Sequence, residues 1–383
     1  MNTPQSTYIY VRDDAAMEKL IECIGASEKV ALDTEANSLH NYFEKVCLIQ
    51  LSLPGQHYIV DPLCGELDLT SFLEALAEKP LIVHGGDYDL RMMRASMDFR
   101  PGREVFDTMI AAQLLGMEQI GLAALIEQFF GIAIGKEGQK SDWSRRPLSE
   151  KQLCYAVNDT RFLDQLAGRL SHELSERGRV DWHRESCRAM VESTGRDSAR
   201  DPGETWRIKG SGRLSRLQLA YLREIWRWRD QYARRANVPP FKVFGNEQIF
   251  EVLLWAESHP GIPLHRGPKL PRNIVGARLT ALEEAILRAG GMSSAQWPER
   301  LKRDRDQALS NQCKEQIDAL RAECARIAKE LNIAASTVAP RAALQAIARS
   351  GPRNLDEIIK SSGLLRWQAE LIQGAVDKIL RAN

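Results

Sequence analysis

The stretch KVALDTEANSLHNYFEKVCLIQLS, residues 29–52, contains two apolar runs separated by a polar segment. Both runs are rich in β-branched and aliphatic residues, which predicts two strands. The first run ends in two acids, Asp33 and Glu35. Because side chains two apart on a strand point to the same face, both carboxylates can reach one ligand. Ligands typically gather where strands of an α/β sheet end, so the stretch predicts a sheet with a site at the end of this strand.

Further strand-like and helix-like segments flank this stretch. Residues 7–11, 57–61 and 81–85 have the composition of strands, whereas residues 69–78 and 86–97 have helical periodicity. From about residue 108 onward the pattern is helical. Strands mixed with helices predict an α/β sheet with helices on its faces, followed by an all-helical part.

The helical part contains a weak internal repeat. NVPPFKVFGNEQIFEV begins at Asn237 and NIAASTVAPRAALQAI begins at Asn332. When the second segment is aligned on the first with this constant offset between residues 237 and 332, the apolar positions coincide. Helical periodicity alone could produce some of these coincidences, but the shared Asn-apolar turn favours a duplicated small helical domain. The polar segment at residues 195–209 is the best linker candidate, and residues 290–306 separate the two copies.

Composition is that of an ordinary globular protein, with 383 residues, 44% hydrophobic and 27% charged, and it is sufficient for two or three domains. The net charge of +1 conceals an asymmetry. Residues 1–170 contain 16 basic and 25 acidic residues, whereas residues 171–383 contain 36 and 26. An acidic half suggests a unit that collects cations, and a basic half suggests one that contacts polyanions. Long helices that carry both signs for solvation would give a similar balance.

The compartment is indicated by what the sequence lacks. The seven cysteines are scattered and form no C-x-x-C pair, which favours a reducing compartment over a zinc site or a disulfide framework. The first residues do not have the pattern of a signal peptide, and no run approaches about 18 apolar residues. We therefore expect a cytoplasmic protein without a membrane span. Since no coiled-coil pattern is present, we expect a monomer.

Two further acids and a tyrosine complete the candidate site. Asp89 follows the apolar run LIVHGG, at the start of a predicted helix. Tyr155 and Asp159 are four apart in a helical segment and therefore lie on one face. Four carboxylates can hold two divalent ions about 3.5–4 Å apart over a phosphodiester, and oxygen ligands suit ions of the magnesium class. Each residue alone has a simpler interpretation, since Tyr155 could be a packing residue and Asp159 a solvated helix charge.

Together these stretches resemble the DEDD exonuclease superfamily in its tyrosine-bearing subclass. Asp33-Thr34-Glu35 resembles the first motif, HGGDYDL at residues 84–90 the second, and Tyr155-x-x-x-Asp159 the third. The segment SDWSRRPLSEKQLCYAVNDT, residues 141–160, resembles the stretch that precedes and contains the third motif in the ribonuclease D family. LREIWRWRDQYARRANVPPFKVF, residues 222–244, resembles the HRDC domain, and residues 310–380 look like a diverged second copy that lacks P-P-F.

The resemblance implies a ribonuclease-H-like α/β nuclease domain at residues 1–195, with a mixed sheet flanked by helices. Two all-α HRDC-like domains would follow at residues 205–295 and 305–383. The implied activity is 3′-to-5′ hydrolysis of RNA, with release of nucleoside 5′-monophosphates from precursor tRNA and other small structured RNAs. In that mechanism two divalent metal ions, Mg²⁺ or Mn²⁺, are held by four acids, and the tyrosine orients the attacking water or helps to deprotonate it. These residues are Asp33, Glu35, Asp89, Asp159 and Tyr155.

Several neighbouring residues are candidates for contact with substrate. Leu39 or His40 could stack on the terminal base, and Lys140 could reach the scissile phosphate or simply be solvated. His84 could contact substrate, although a buried histidine bonded to backbone is the simpler expectation. Asp107 is expected to cap a helix, and the alternative is that it supports the metal ligands without contacting the metal itself.

The first HRDC-like segment combines basic and aromatic residues, as nucleic-acid surfaces do. Trp226 and Phe241 are expected in its core, and its Pro-Pro turn is expected to be structural. The basic candidates for nucleic-acid binding are Arg223, Arg227, Arg234, Arg235 and Lys242.

Two alternatives to an RNA exonuclease stay open at this point. The same site could act on DNA, because only contacts to the ribose 2′-hydroxyl distinguish the substrates and no residue can be assigned to that task. Alternatively, the chain could be a nucleic-acid-binding scaffold with an inactive site. The presence of all five motif residues argues against the scaffold.

Overall fold

The structure is a computed structural model that describes residues 7–65, 67–135, 138, 141–195, 202–301 and 310–381. Contacts divide the chain into two compact units. The first comprises Met1–Ala36, Lys45–Arg196 and Gln307–Asn383, and the second comprises Asn37–Glu44 and Asp197–Asp306. Among the described helices, none is long and apolar enough to cross a membrane.

A six-stranded mixed sheet forms the centre of the first unit. The strands are β1 (Ile9–Val11), β2 (Val30–Ala36), β3 (Val46–Leu53), β4 (Gln56–Val60), β5 (Leu81–Val83) and β6 (Val105–Asp107). They lie side by side in the order β1-β4-β3-β2-β5-β6. The pairs β2–β3 and β3–β4 are antiparallel, whereas β1–β4, β2–β5 and β5–β6 are parallel.

The helices of both units are numbered in chain order. Those of the first unit up to residue 195 are α1 (Asp14–Ala26), α2 (Thr70–Ala77), α3 (Asp87–Met97), α4 (Thr108–Leu114), α5 (Leu122–Phe130), α6 (Glu150–Arg161), α7 (Leu163–Glu176) and α8 (Val180–Thr194). Those of the second unit are α9 (Arg216–Ala236), α10 (Pro240–Val243), α11 (Asn246–Ser258) and α12 (Ala277–Gly290). The last five, which belong to the first unit, are α13 (Asn311–Leu331), α14 (Ala335–Val338), α15 (Arg341–Ser350), α16 (Leu355–Ser362) and α17 (Arg366–Arg381).

The predicted α/β sheet with helices on its faces is confirmed. All eight residues of β3 are buried, because helices cover both faces of the sheet at its centre. The strands and helices expected between residues 7 and 97 are present, with ends shifted by one or two residues. β6 was not predicted, since a three-residue strand shows no periodicity that distinguishes it from a turn.

The last helices pack against the part of the first unit that contains the sheet. The indole rings of Trp182 in α8 and Trp367 in α17 stack with centroids 4.8 Å apart. The Glu185 carboxylate accepts the backbone N–H groups of Arg366 (2.6 Å) and Trp367 (3.3 Å), and so caps the N-terminus of α17. This end of the chain is therefore an integral part of the first unit.

The second unit is a small helical bundle around its own apolar core. Ser215 and Gln218 form a capping box at the start of α9. Trp206 is buried in the core, only 3% exposed. The predicted linker at residues 195–209 was therefore wrong for its second half, because residues 204–209 belong to this unit. Residues 196–201 lie outside the described part of the chain.

The internal repeat is confirmed as a structural duplication. α9 and α13 each contain 21 residues and begin at positions separated by the predicted offset. Each ends at an asparagine in the left-handed conformation, Asn237 (φ 49°) and Asn332 (φ 52°). A four-residue helix, α10 or α14, follows in both copies. Asparagine tolerates this conformation better than other residues with a Cβ, which explains why the turn has it twice.

Candidate active site

Three of the four predicted acids converge at the centre of the sheet. β2 carries Asp33 and Glu35, and α6 packs across β2, β3 and β4 so that Asp159 faces them. Ser149 and Gln152 fix the start of α6 with a capping box. One carboxylate oxygen from each of the three acids lies within 4.8 Å of the others. The structure therefore brings Asp33 and Glu35, two apart on a strand, together with Asp159 on the helix, as the sequence predicted.

Asp89 lies beside this group but is engaged differently. It is in the first turn of α3 and is 9% exposed. Its Oδ1 atom accepts a hydrogen bond of 2.6 Å from the Thr34 hydroxyl, and it does not belong to the group within 4.8 Å. Strand alternation directs Thr34 away from the face of its two acidic neighbours, so sequence reasoning did not find this contact.

The acids destabilise one another's ionised forms. Burial, followed by the charges of Asp89, Asp159 and Glu35, raises the pKa of Asp33 well above its usual value. Burial is also the main cause that raises the pKa of Glu35 to about 9, of Asp159 to about 7 and of Asp89 to about 6. Among the described residues, no basic side chain shifts the pKa of any of these four acids. A bound cation would therefore offset the charge of the ionised cluster.

The donor set fits a divalent metal ion. It consists of carboxylate oxygens, which are the ligands of Mg²⁺ and Mn²⁺. Gln50 lies opposite Asp33 in the β2–β3 register and is fully buried, yet neither atom of its amide has a hydrogen-bond partner among the described residues. The three converging carboxylates therefore supply the anionic ligands that a divalent cation requires, and the partnerless amide of Gln50 lies on the neighbouring strand.

We expect Mg²⁺ to stabilise the protein more at about pH 9 than at about pH 6, as measured by thermal unfolding. A carboxyl whose folded-state pKa is raised favours folding below its unfolded pKa, near 4, and loses that contribution as the pH rises through its folded value. The metal-free protein should therefore lose stability up to about pH 9, the value for Glu35. Since the ion binds only ionised carboxylates, its effect should grow over the same interval. A thermal shift independent of pH would contradict this.

Tyr155 remains a neutral phenol in this setting. Burial, then the charges of Asp159, Glu35 and Asp33, raises its pKa far above the usual value. Its hydroxyl is hydrogen-bonded to Asp159, whose pKa that contact lowers. A phenol that holds its proton can orient a water molecule but cannot deprotonate it, so of the two roles considered for Tyr155 the structure favours orientation.

The segment SDWSRRPL holds Tyr155 in place from the side. Trp143 is 1% exposed, and its ring lies 6.1 Å from that of Tyr155. Arg146 anchors the segment, since its guanidinium donates to both carboxylate oxygens of the fully buried Asp61 at 2.5 Å and to the carbonyl of Cys47 at 2.9 Å. This explains why a tryptophan and an arginine stand at these positions.

Asp107 supports the turn that leads to Asp89. It caps α4, as predicted, by accepting from the amides of Met109 and Ile110 at 2.8 and 3.2 Å. The same buried carboxylate also accepts from the amides of Gly85 (3.0 Å) and Gly86 (2.9 Å). A Cβ on Gly86 would lie 2.6 Å from the side chain of Val83, so only glycine fits here. Asp107 thus joins the starts of α3 and α4.

Asp107→Asn is expected to lower the free energy of unfolding by about 1–3 kcal/mol, because the new amide group would direct N–H donors at N–H donors. The substitution should also misplace α3, which carries Asp89, and so weaken Mg²⁺ binding by ~10–100-fold, as mutation of residues that orient metal ligands usually does. Urea unfolding and calorimetric titration of Mg²⁺ measure the two effects. Asp98→Asn, at an exposed position, is the control, and an equal response of both variants would contradict the role of Asp107.

The remaining substrate candidates are placed as follows. His84 lines a recess of about 510 Å³ together with the converging acids and the start of α5. Its Nδ1 atom is 2.9 Å from the hydroxyl of Thr108, and burial lowers its pKa, which favours the neutral imidazole. Leu39 and His40 belong to Asn37–Glu44, which is part of the second unit. Lys140 lies outside the described residues.

The basic candidates of the second unit separate into two sets. Arg223 and Arg227 surround Glu224 at 3.7 and 2.9 Å and are engaged in ion pairs. Arg234, Arg235 and Lys242 lie at the turn between α9 and α10 and are exposed. The expectation that Phe241 lies in the core was wrong, because its side chain is 56% exposed.

Comparison with known proteins agrees with this geometry. The family model for a 3′-5′ exonuclease matches residues 8–175, and that for the HRDC domain matches residues 218–254 and 314–375. Ribonuclease D of Pseudomonas paraeruginosa is 31% identical over 362 residues, which cover 89% of each chain. The chain belongs to the ribonuclease D family. Ribonuclease D of Sphingobium indicum is 28% identical over 255 residues, which span 64% of that relative and 65% of this chain.

Solved structures confirm the fold of this family member along nearly its whole length. A protein from Bifidobacterium adolescentis superposes with a TM-score of 0.81 at 22% identity, covering 98% of this chain and 97% of the other. RNase D of Escherichia coli, an exoribonuclease involved in structured RNA processing, gives a TM-score of 0.73 at 24% identity and covers 98% of this chain and 99% of its own.

Proposed function

We propose that the chain is a metal-dependent 3′-to-5′ exoribonuclease. The observation that carries this proposal is the convergence of Asp33, Glu35 and Asp159 within 4.8 Å, with Asp89 beside them. Membership of the ribonuclease D family supports the polarity and the RNA substrate. The recess of about 510 Å³ beside the acids has the size of a pocket for one small ligand such as a nucleotide.

Asp33, Glu35, Asp89 and Asp159 would hold two divalent ions, Mg²⁺ or Mn²⁺. When bound, such a pair stabilises the attacking and the leaving oxygen of an in-line displacement at phosphorus. Asp89 would give up its hydrogen bond with Thr34 to ligate a metal ion, and Tyr155, held against Trp143, would orient the attacking water. His84 contacts the terminal nucleotide from the wall of the recess.

The substrate class within this proposal is the 3′ end of precursor tRNA and other small structured RNAs in the cytoplasm. Seven free cysteines suit a reducing compartment. The proposed division is a nuclease domain at residues 1–195 and HRDC domains at residues 205–295 and 305–383. Leu39, His40, Arg234, Arg235 and Lys242 belong to the RNA-binding surface, whereas the engagement of Arg223 and Arg227 with Glu224 makes them weaker candidates.

The decisive experiment digests a 5′-labelled tRNA with a 3′ extension, and a matched single-stranded DNA, with Mg²⁺, Mn²⁺ or a chelator. A metal-dependent ladder on RNA with 5′-monophosphate products is expected. A ladder on DNA alone would replace this function with that of a DNA exonuclease. Retained binding without cleavage of either substrate would identify an inactive scaffold.

A further inference from the structure

The segment Asn37–Glu44, which follows the acidic strand β2 in the chain, is fixed to the turn between α9 and α10. The side-chain oxygen of Asn237 accepts the amide N–H groups of Tyr42 (3.2 Å) and Phe43 (3.1 Å). The Tyr42 hydroxyl donates to Asp230 at 2.8 Å, and Arg234 lies over the Tyr42 ring. These contacts present the segment and the turn as one surface.

Two phenylalanine rings are exposed on that surface. Phe43 and Phe241 are each 56% exposed, although a phenylalanine gains about 1.5–3 kcal/mol from full burial. Phe43 meets the ring of Tyr42 edge to face with centroids 5.1 Å apart. On the other side, Lys242 approaches the imidazole of His40 at 3.4 Å. The exposed rings are therefore held on an ordered backbone by the contacts around them.

The charges around these rings are mostly positive. Arg234, Arg235 and Lys242 lie on the turn, and Arg235 has no acidic partner among the described residues. The acids nearby are Asp230, whose carboxylate accepts the Tyr42 hydroxyl, and the exposed Glu44. Exposed aromatic rings flanked by cations are the combination that binds single-stranded nucleic acid, because bases stack on the rings while cations neutralise phosphates.

The second copy of the turn shows that the fold does not require these residues. At the repeat offset, Phe241, Lys242 and Arg235 correspond to Ser336, Thr337 and Glu330. Both copies nevertheless have the left-handed asparagine and the four-residue helix. The aromatic and basic residues of the first copy are thus not needed to form the turn.

The second copy of the turn is instead covered by the chain itself. Arg179 donates to the carbonyls of Leu114 (2.5 Å) and Leu331 (2.6 Å). Gln368 donates to the carbonyl of Thr337 at 2.7 Å. A Cβ on Gly116 would lie 1.6 Å from the carbonyl oxygen of Asn332, so the two backbones are in direct contact. The same turn therefore serves packing in one copy and leaves a cationic aromatic surface in the other.

We propose that Phe43 and Phe241, with Arg235 and Lys242, form a stacking platform for single-stranded RNA. This inference rests on the proposed function and deepens it, since it assigns the unpaired 3′ region of the substrate to a defined surface. Two unstacked bases occupy the two rings, and the cations contact the intervening phosphates. A duplex offers no exposed base faces along its length, so it is not the ligand of this platform.

The test measures binding of a fluorescent single-stranded RNA to the full chain, in chelator so that no cleavage occurs. Phe43→Ala and Phe241→Ala should each weaken binding roughly tenfold, as loss of one stacked base does. Phe241→Trp should restore affinity, because indole also stacks. Arg235→Ala and Lys242→Ala should each reduce the slope of log affinity against log salt by about one. Leu287→Ala, at a position 61% exposed on α12, is the matched control and should bind as the unaltered protein does.

Three results would overturn the platform. The first is unchanged affinity for single-stranded RNA in both phenylalanine variants, and the second is an equal loss of that affinity in Leu287→Ala. The third is that the phenylalanine variants lose as much affinity for a blunt RNA duplex as for single-stranded RNA. Thermal unfolding midpoints, which exposed substitutions should leave in place, show that a loss is not misfolding. Failure of the two proposals can be distinguished. RNA binding that depends on the rings without metal-dependent hydrolysis would reject the proposed function alone. Hydrolysis with unaffected binding in both ring variants would reject the platform alone.

Discussion

Asp33→Asn is expected to reduce RNA hydrolysis by ~10³-fold or more, while RNA binding in chelator stays nearly unchanged. Loss of one ligand removes several kcal/mol of metal-dependent stabilisation of the transition state, and each 1.4 kcal/mol corresponds to about tenfold in rate. Asparagine has almost the same shape as aspartate, so the sheet around β2 should not change. Single-turnover cleavage of a 5′-labelled RNA measures the effect.

The same variant should be at least as stable as the unaltered protein without metal. Burial, followed by the charges of three neighbouring acids, raises the pKa of Asp33, so a neutral side chain removes both the desolvation cost and the repulsion. Stabilisation by Mg²⁺ should disappear at the same time. Asp87→Asn is the control, because Asp87 pairs with Arg91 and its side chain is 45% exposed. Cleavage near the unaltered rate in Asp33→Asn would remove this residue from the metal site.

Arg146→Ala should lower the free energy of unfolding by about 3–5 kcal/mol, the usual cost of leaving a buried carboxylate without its partner. The Asp61 side chain is fully buried, and the Arg146 guanidinium donates to both of its oxygens as well as to the carbonyls of Cys47 and Trp143. Urea denaturation at neutral pH measures the loss. The neighbouring Arg145→Ala removes an arginine whose side chain is 84% exposed, and should change stability by less than about 0.5 kcal/mol.

The pH dependence of Arg146→Ala provides a second readout. Burial acts to raise the pKa of Asp61, but hydrogen bonds from Arg146, Tyr10 and the Leu63 amide outweigh it and lower the pKa. The carboxylate therefore stabilises the protein above its unfolded pKa, near 3.9, and this contribution is lost as the pH falls through the folded value. Without Arg146 the carboxyl can protonate, so the difference between the two proteins should shrink in acid. A difference independent of pH would contradict the role of the ion pair.

The layout of the second half changes how RNA binding should be tested. Because Trp367 stacks on Trp182 and Glu185 caps α17, removal of residues 205–383 would expose an apolar face of the first unit. A loss of RNA binding after such a deletion would therefore mix lost contacts with a disturbed fold. Substitution of exposed residues at the turn between α9 and α10 avoids this problem.

Periodicity determined what could be predicted about the site. The i,i+2 spacing of Asp33 and Glu35 and the i,i+4 spacing of Tyr155 and Asp159 specify which side chains share a face, since strand and helix geometry are local. Asp107 was predicted as a helix cap for the same reason. By contrast, its bonds to Gly85 and Gly86 join segments more than 20 residues apart, and no local pattern records them.

The sequence by itself determined the alternation of strands and helices, the positions of the acids on their elements and the duplication of the helical domain. Only the tertiary structure decided that Thr34 holds Asp89, that Phe241 is exposed and that the second copy of the turn packs against the chain. The physical reason is that backbone periods fix the directions of side chains within an element. Which element covers a given face depends on packing between distant segments, which neither composition nor spacing encodes locally.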